Sequence, residues 1–368
     1  MIDKFETERM QSAGERPVEI DMSESGVRPV TLRELVDLGF DMEGAMDTPL
    51  GYSQSNGTIA LREALCLQYP GATPDRIDVT NGTSDANYTV ALSLVRPGNE
   101  VAFETPNFVE LWGVPRSLGA TVRTFRLRGE SGWEPDWEEF ARVVTPKTRL
   151  LYISNPNNPT GSVLSRESMR RIVERCDRTG TYLLADEVYH GAEIHRERTP
   201  SFWGMSDRVI VTGGLSKAYG IPGLRVGWIV GPADVIAECW TQHDYLTIGR
   251  NQLSEEIARV AVRPDNREKL YARTRAILQF NLPIVREWAA GLGNFLTLHE
   301  PEAGALGLVR YAESVPSFDL SERIRVNRST LIVPGSHLGL EGFIRICLGG
   351  QPEVLREGLR RIGMEMRS

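Results

Sequence analysis

Between about residues 55 and 245, short apolar runs alternate with longer stretches whose apolar positions recur every three or four residues. The short runs, at 77–80, 100–103, 121–126, 149–154, 181–185, 208–212 and 225–230, are bounded by Gly, Pro, Asn or Asp and predict strands. The stretches at 58–68, 84–94, 166–179 and 233–245 predict helices. Asn56 or Thr58 offers an N-cap to the first of these, and Tyr69-Pro70-Gly71 stops it. Alternation of this kind defines an α/β fold whose large domain holds a mostly parallel, seven-stranded sheet flanked by helices.

Past residue 250 the pattern changes. A long helical stretch over 268–291 leads to strands near 305–310, 330–333 and 343–347 and a last helix over 352–366. These predict a smaller α+β domain, against which the first forty-odd residues are expected to pack. The expected division is an N-terminal arm with part of the small domain (1–48), a large domain (49–248), and an interdomain helix with the C-terminal small domain (249–368).

Composition narrows the partners. The 368 residues suit a large domain plus a smaller one, and 41% hydrophobic with 25% charged residues is ordinary for a soluble globular protein. A net charge of -7 argues against nucleic acid or an anionic membrane surface, both of which call for clustered Lys and Arg. No window reaches the ~18 apolar residues of a membrane span. The acidic start, Met-Ile-Asp-Lys-Phe-Glu, does not read as a signal peptide. Cys66, Cys176, Cys239 and Cys347 lie far apart with no C-x-x-C, which fits thiols in a reducing compartment. The expectation is a cytoplasmic protein. The five histidines, His190, His195, His243, His299 and His337, show no metal-ligand spacing, so no metal is expected.

In open α/β sheets, ligands bind beyond the carboxyl ends of the strands. Four notable sequences fall there. Gly82-Thr83-Ser84 follows the strand at 77–80 and opens a helix; Asn155-Pro156-Asn157-Asn158-Pro159-Thr160-Gly161 follows 149–154. Asp186 follows 181–185, and Gly213-Gly214-Leu215-Ser216-Lys217 follows 208–212, with Arg225 eight residues beyond the lysine. Each alone has an ordinary reading: a solvated lysine, an Asp or Gly-Thr-Ser capping a helix, a rigid Asn-Pro turn. Their convergence on one sheet edge is the stronger signal.

In this order the blocks resemble the pyridoxal-phosphate (PLP) aminotransferases of class I and II, the fold-type-I group, over nearly the whole chain from Tyr52 to Arg345. The resemblance implies that Lys217 forms a Schiff base with the cofactor aldehyde and then moves the Cα proton of the substrate. Asp186 would pair with the protonated pyridine nitrogen and keep the ring an electron sink. Tyr189 and Asn158 would donate to the phenolic oxygen, with Asn158 also at the substrate. Backbone N–H groups of Gly82, Thr83 and Ser84, together with the Arg225 fork, would hold the phosphate. Phe108, in Pro106-Asn107-Phe108, would stack on the ring where many relatives carry Tyr or Trp. Arg345, set in an apolar strand, would grip the substrate α-carboxylate, a structural salt bridge being its other reading. Tyr52 resembles a tyrosine that reaches the phosphate in the neighbouring subunit of a homodimer; a core or turn tyrosine reads equally well.

One position departs from the pattern. Many relatives carry Ser three residues before the lysine, on the phosphate, and here that residue is Gly214. The phosphate grip then leans on Thr83, Ser84 and Arg225, with Ser216 expected to point elsewhere.

The motifs fix the cofactor more firmly than the reaction. Transamination of an L-amino acid with a keto acid partner is the first expectation. Asp21-Met22-Ser23-Glu24-Ser25-Gly26-Val27 resembles the N-terminal segment of capreomycidine-synthase-like enzymes, which eliminate water from a hydroxylated arginine and close a ring. That resemblance implies Ser23, Glu24, Ser25 and Gly26 near the substrate, with Glu24 or Asp21 holding a guanidinium. A capped turn feeding the small domain is the plainer alternative. A PLP-sensing DNA-binding regulator is disfavoured, because the fifty residues before Tyr52 are acidic.

Overall fold

The structure, a computed structural model, describes all residues except Met1, Asp3, residues 13–17, Val109, Glu313 and Ser368, and the side chains of Ser12, Glu110 and Leu111. After a two-residue strand β1 (Ile20–Asp21), the chain lays down β2 (Ile77–Thr80), β3 (Glu100–Thr105), β4 (Thr121–Arg128), β5 (Glu134–Pro135), β6 (Thr148–Ser154), β7 (Tyr182–Asp186), β8 (Val209–Gly214) and β9 (Gly227–Val230). The last eight form one sheet in the order β2-β9-β8-β7-β6-β3-β4-β5. Strands β4, β3, β6, β7 and β8 run parallel, and β9 is antiparallel to both of its neighbours, β8 and β2.

The apolar runs read from the sequence are buried on both faces, as parallel strands under helices require. Leu150 and Tyr152 of β6, Leu184 of β7, Ile210 of β8 and Ile229 of β9 face one apolar cluster with Ala86, Val90, Val235 and Ile236 from the helices Thr83–Leu94 and Ala233–Leu246. The alternate residues Leu151, Ile153, Leu183, Ala185, Val209 and Val211 enter the larger core on the other face. This period of two is what fixes the register of the central strands.

The smaller domain is a four-stranded antiparallel sheet, β10 (Leu296–His299), β11 (Leu306–Tyr311), β13 (Val333–Pro334) and β14 (Phe343–Cys347), in the order β10-β11-β14-β13. The 29-residue helix Pro264–Leu292 leads into it, opened by Pro264, whose missing N–H costs nothing at that position. β1 pairs with β12 (Thr330–Leu331), the Cys347 N–H donates to the Met22 carbonyl, and the Arg28 N–H to that of Gly349. The N-terminal arm is thereby drawn along β14 and across the edge where β6, β7 and β8 end. Among the described residues no helix is long and apolar enough to cross a membrane.

Three expectations need correction. The strand expected at 225–230 begins at Gly227, because Arg225 caps the 3-10 turn Pro222–Leu224 in the left-handed region (φ 53°). The strand expected at 330–333 divides at Ile332, the chain passing from its partner β1 to its partner β14. Sequence also missed β5, β10 and several short helices, including Glu6–Ser12 at the start of the arm.

Candidate active site

A cavity of about 530 Å³ opens at the carboxyl edge of the large sheet, between it and the N-terminal arm. It is lined by Thr83, Ser84, Phe108, Asn158, Asp186, Tyr189, Lys217, Arg225 and Arg345, and by Glu24 and Ser25 of the arm. Residues on or just beyond β6 and β7, residues that follow β2 and β8, and Arg345 within β14 thus meet in one cavity. Gly82 touches the Arg225 guanidinium, and Gly26 runs beside Lys217, where a Cβ would lie 3.7 Å from its Cδ. Tyr52 does not line the cavity and is 89% exposed.

Lys217 emerges from the turn after β8, and part of its surface faces the cavity. Burial pushes its amine below the usual lysine range, Glu24 opposing this and Arg345 adding to it. A lysine with a depressed pKa keeps more of the free-base form that attacks an aldehyde or accepts a proton.

Asp186 ends β7. Its Oδ2 accepts from Asn87 Nδ2 at 2.8 Å and Tyr152 OH at 3.3 Å, and its Oδ1 from the Val188 N–H at 3.0 Å. Asn87 is itself oriented by Thr212, whose hydroxyl donates to its Oδ1 at 2.7 Å. Burial pushes the Asp186 carboxyl up, against these hydrogen bonds and the field of Lys217. A cationic partner in the cavity would favour its ionised form. Asn87 and Tyr152 were not singled out in the sequence, although Asn87 stands one helical turn from Thr83 and Ser84 and so shares their face.

The loop Asn155–Gly161 is fixed by a buried carboxyl. Glu104 at the end of β3 accepts the Ser154 N–H at 2.7 Å and the side-chain amides of Asn107 and Asn157 at 3.0 Å each. Burial pushes it up to about 8. The same group therefore sets Asn158 and, through Asn107, Phe108. Phe108 meets Phe5 of the arm edge-on, with ring centroids 4.9 Å apart.

Arg345 is 1% exposed. Its Nη1 donates to Asn158 Oδ1 at 2.9 Å and its Nη2 to the Ser23 carbonyl, while its Nε has no hydrogen-bond partner. Because a guanidinium only donates, Asn158 must turn its oxygen to Arg345, which leaves its NH₂ for other acceptors. No carboxylate pairs with Arg345 among the described residues, so the structural salt bridge is not what holds it. A buried guanidinium lacking an anion is a costly arrangement unless a ligand supplies one. Tyr189 also presents a buried hydroxyl without a partner; burial pushes its phenol well up, and nearby Ser25 opposes that without closing a hydrogen bond of ordinary geometry.

Where the motifs imply the phosphate, Gly82 adopts φ 94° and leads into the helix Thr83–Leu94, whose first N–H groups have no partner within the helix. Arg225 donates to the carbonyls of Asn81 (3.3 Å) and Pro222 (3.1 Å). Gly214 finds its explanation here. A Cβ on it would lie 2.5 Å from Thr83 Oγ1, so the space a serine would fill belongs to the threonine, whose buried hydroxyl has no hydrogen-bond partner. Ser216 corrects the expectation made for it: it lines the cavity and accepts from Arg225 Nη1 at 3.5 Å. Asp21 is corrected too. Its Oδ1 is taken by the Ser23 N–H and hydroxyl, 2.7 Å each, and it does not line the cavity. The arm instead adds Phe5, just before the helix Glu6–Ser12, and Glu8 and Gln11 on it, with Gln11 tied to the Ser23 carbonyl at 2.7 Å.

Fold and site define a fold-type-I, PLP-dependent enzyme, and the chain belongs to the aminotransferase class I and II family, whose model matches residues 22–362. It is 31% identical to the capreomycidine synthase of Streptomyces vinaceus over 94% of this chain and 89% of that one. Among solved structures, a PLP-dependent aminotransferase from Streptococcus suis superposes with a TM-score of 0.92 at 29% identity, covering 100% and 98% of the two chains. The PLP-dependent cyclase OrfR superposes at 0.90 and 27%, with the same coverage. PLP is therefore the cofactor, and the residues present fit it: a buried carboxyl lacking a cation (Asp186), orphaned hydroxyls (Thr83, Tyr189), an N-terminal helix turn beside Arg225, and a lysine of depressed pKa.

Proposed function

We propose that the chain is an aminotransferase acting on an L-amino acid with a cationic side chain. When bound, PLP supplies the aldehyde and the electron-withdrawing ring. Lys217 ties the aldehyde and then carries the substrate Cα proton. Asp186, braced by Asn87 and Tyr152, holds the ring nitrogen protonated. Tyr189 and the NH₂ of Asn158 donate to the phenolic oxygen, Phe108 covers a ring face, and Gly82, Thr83, Ser84 and Arg225 take the phosphate. Arg345 receives the α-carboxylate. The observation that carries the assignment is the buried Arg345 with its Nε unpartnered in the cavity that Lys217 faces. Glu8 and Glu24 support the cationic side chain. Both line the cavity, neither forms an ion pair among the described residues, and both act on Lys217 and Arg345 through their fields.

A second reading, cyclodehydration of a hydroxylated arginine, is favoured by the placement of Glu24, Ser25 and Gly26 around Lys217 and by the likeness to a capreomycidine synthase and a cyclase. One experiment separates the two. With basic amino acids and no keto acid, an aminotransferase converts its bound cofactor once, to the amine form, and stops. Continued turnover with the aldehyde form regained would replace transamination by elimination. A panel in which neutral or acidic amino acids react faster than arginine-type ones would contradict the carboxylate assignment.

We also place the working unit as a homodimer in which Tyr52 reaches the neighbouring site. Leu50, Tyr52, Tyr245 and Ile248 are exposed on two segments joined by the Ser53–Arg250 hydrogen bonds, an apolar face suited to a second copy. Sedimentation should show a dimer at micromolar concentration, and a fully active monomer would contradict it.

A further inference from the structure

His243, on the helix Ala233–Leu246, is fully buried, and its imidazole meets groups distant in sequence. Its Nδ1 lies 2.8 Å from Asp78 Oδ2 on β2. Its Nε2 lies 2.9 Å from Thr89 Oγ1 and 3.4 Å from Asp85 Oδ2, both on the helix Thr83–Leu94. Asp85 Oδ2 in turn accepts the Asn81 N–H at 2.8 Å. Asn81 joins β2 to Gly82, and its carbonyl is the one Arg225 holds at 3.3 Å. The turn that presents the phosphate-binding N–H groups is thus pinned by Arg225 through its carbonyl. Through its N–H it is pinned by the chain Asp85–His243–Asp78, none of whose members lines the cavity.

We propose that His243, acting through Asp85, is a positioning residue for the cofactor phosphate: it fixes Asn81 and cancels the carboxylate charge that the first turn of that helix would otherwise set beside the phosphate. A helix N-terminus attracts an anion, and Asp85 is already one anion in the first turn. A cation 3.4 Å from that carboxylate offsets much of its repulsion toward a second anion.

The surroundings favour the charged imidazole. Burial lowers its pKa, but the hydrogen bonds and fields of Asp78 and Asp85 outweigh that, and His243 sits above its ordinary value. Asp85 is held below its own, burial being outweighed by His243 and the Asn81 N–H. Burial pushes Asp78 up, opposed by the imidazole on one oxygen and the Arg250 guanidinium at 3.9 Å on the other, and these two cations favour its ionised form.

The inference rests on the placement of the phosphate at Gly82–Ser84, and the test separates the two. Apoprotein is titrated with PLP and, separately, with pyridoxal, which lacks the phosphate. His243→Gln is expected to weaken PLP binding about tenfold and pyridoxal binding less than twofold, and to shift the phosphorus NMR resonance of bound PLP. Adding Asp85→Asn, which keeps the hydrogen-bond shape and removes the charge, should recover most of the loss. If His243→Gln does not fold, Asp78→Asn, which removes a carboxylate that favours the charged imidazole, should give a PLP-selective loss in the same direction. Equal weakening of both ligands with an unshifted resonance would reduce His243 to a core histidine and overturn the proposal. A wild-type protein binding pyridoxal as tightly as PLP would overturn the phosphate placement beneath it.

Discussion

Lys217→Ala is expected to lower turnover by at least about four orders of magnitude while leaving the fold intact. A positioned general base alone contributes roughly 10²–10⁴-fold, and the same amine also supplies the covalent tie to the cofactor. The side chain faces the cavity and appears in no ion pair or hydrogen bond of the described structure, so its removal orphans no partner. PLP should still bind through the phosphate turn and Asp186, but without the absorbance of a lysine imine. Steady-state kinetics and an absorbance titration check this. A variant that keeps a tenth of its activity would place the proton transfer on another group.

Arg345→Lys is expected to raise KM for the amino acid by roughly 10- to 150-fold with little change in PLP affinity, the range that ~1.5–3 kcal/mol for a charge-assisted hydrogen bond corresponds to. Lysine keeps the charge and loses the planar fork. Arg345→Ala should be worse, because it also strands Asn158 Oδ1 and the Ser23 carbonyl, which the guanidinium satisfies. Substrate titrations of holoenzyme, paired with PLP titrations of apoprotein, separate the two affinities. Equal losses in both would return Arg345 to a structural role.

Much of this was legible in the sequence because two strong periodicities coincide with sharp breaks. The runs at 149–154, 181–185 and 208–212 became β6, β7 and β8, and their ends set Asn158, Asp186 and Lys217 on one edge. Strand direction was not legible. Nothing in Gly227–Val230 says that β9 runs opposite to β8, since a period of two is blind to polarity. The arm helix Glu6–Ser12 escaped because it is seven residues of mostly polar sequence, too short to stand without tertiary contacts. Its Glu8 and Gln11 became visible only when β1 brought the arm across the edge. His243 looked like one more helical histidine, because Asp78 lies 165 residues away and reaches it only once β2 and the helix Ala233–Leu246 pack together. Gly214 looked like a loss of phosphate grip. It is a consequence of packing, the neighbouring Thr83 filling the place of the missing hydroxyl.

The central claim is that one particular ε-amine carries the cofactor. Reduction of the holoenzyme with borohydride, digestion and mass mapping reads it directly. The account predicts a single pyridoxyl-phosphate adduct, on the peptide that contains Lys217. An adduct on Lys4, Lys147 or Lys269, or no adduct from a protein saturated with PLP, would contradict it.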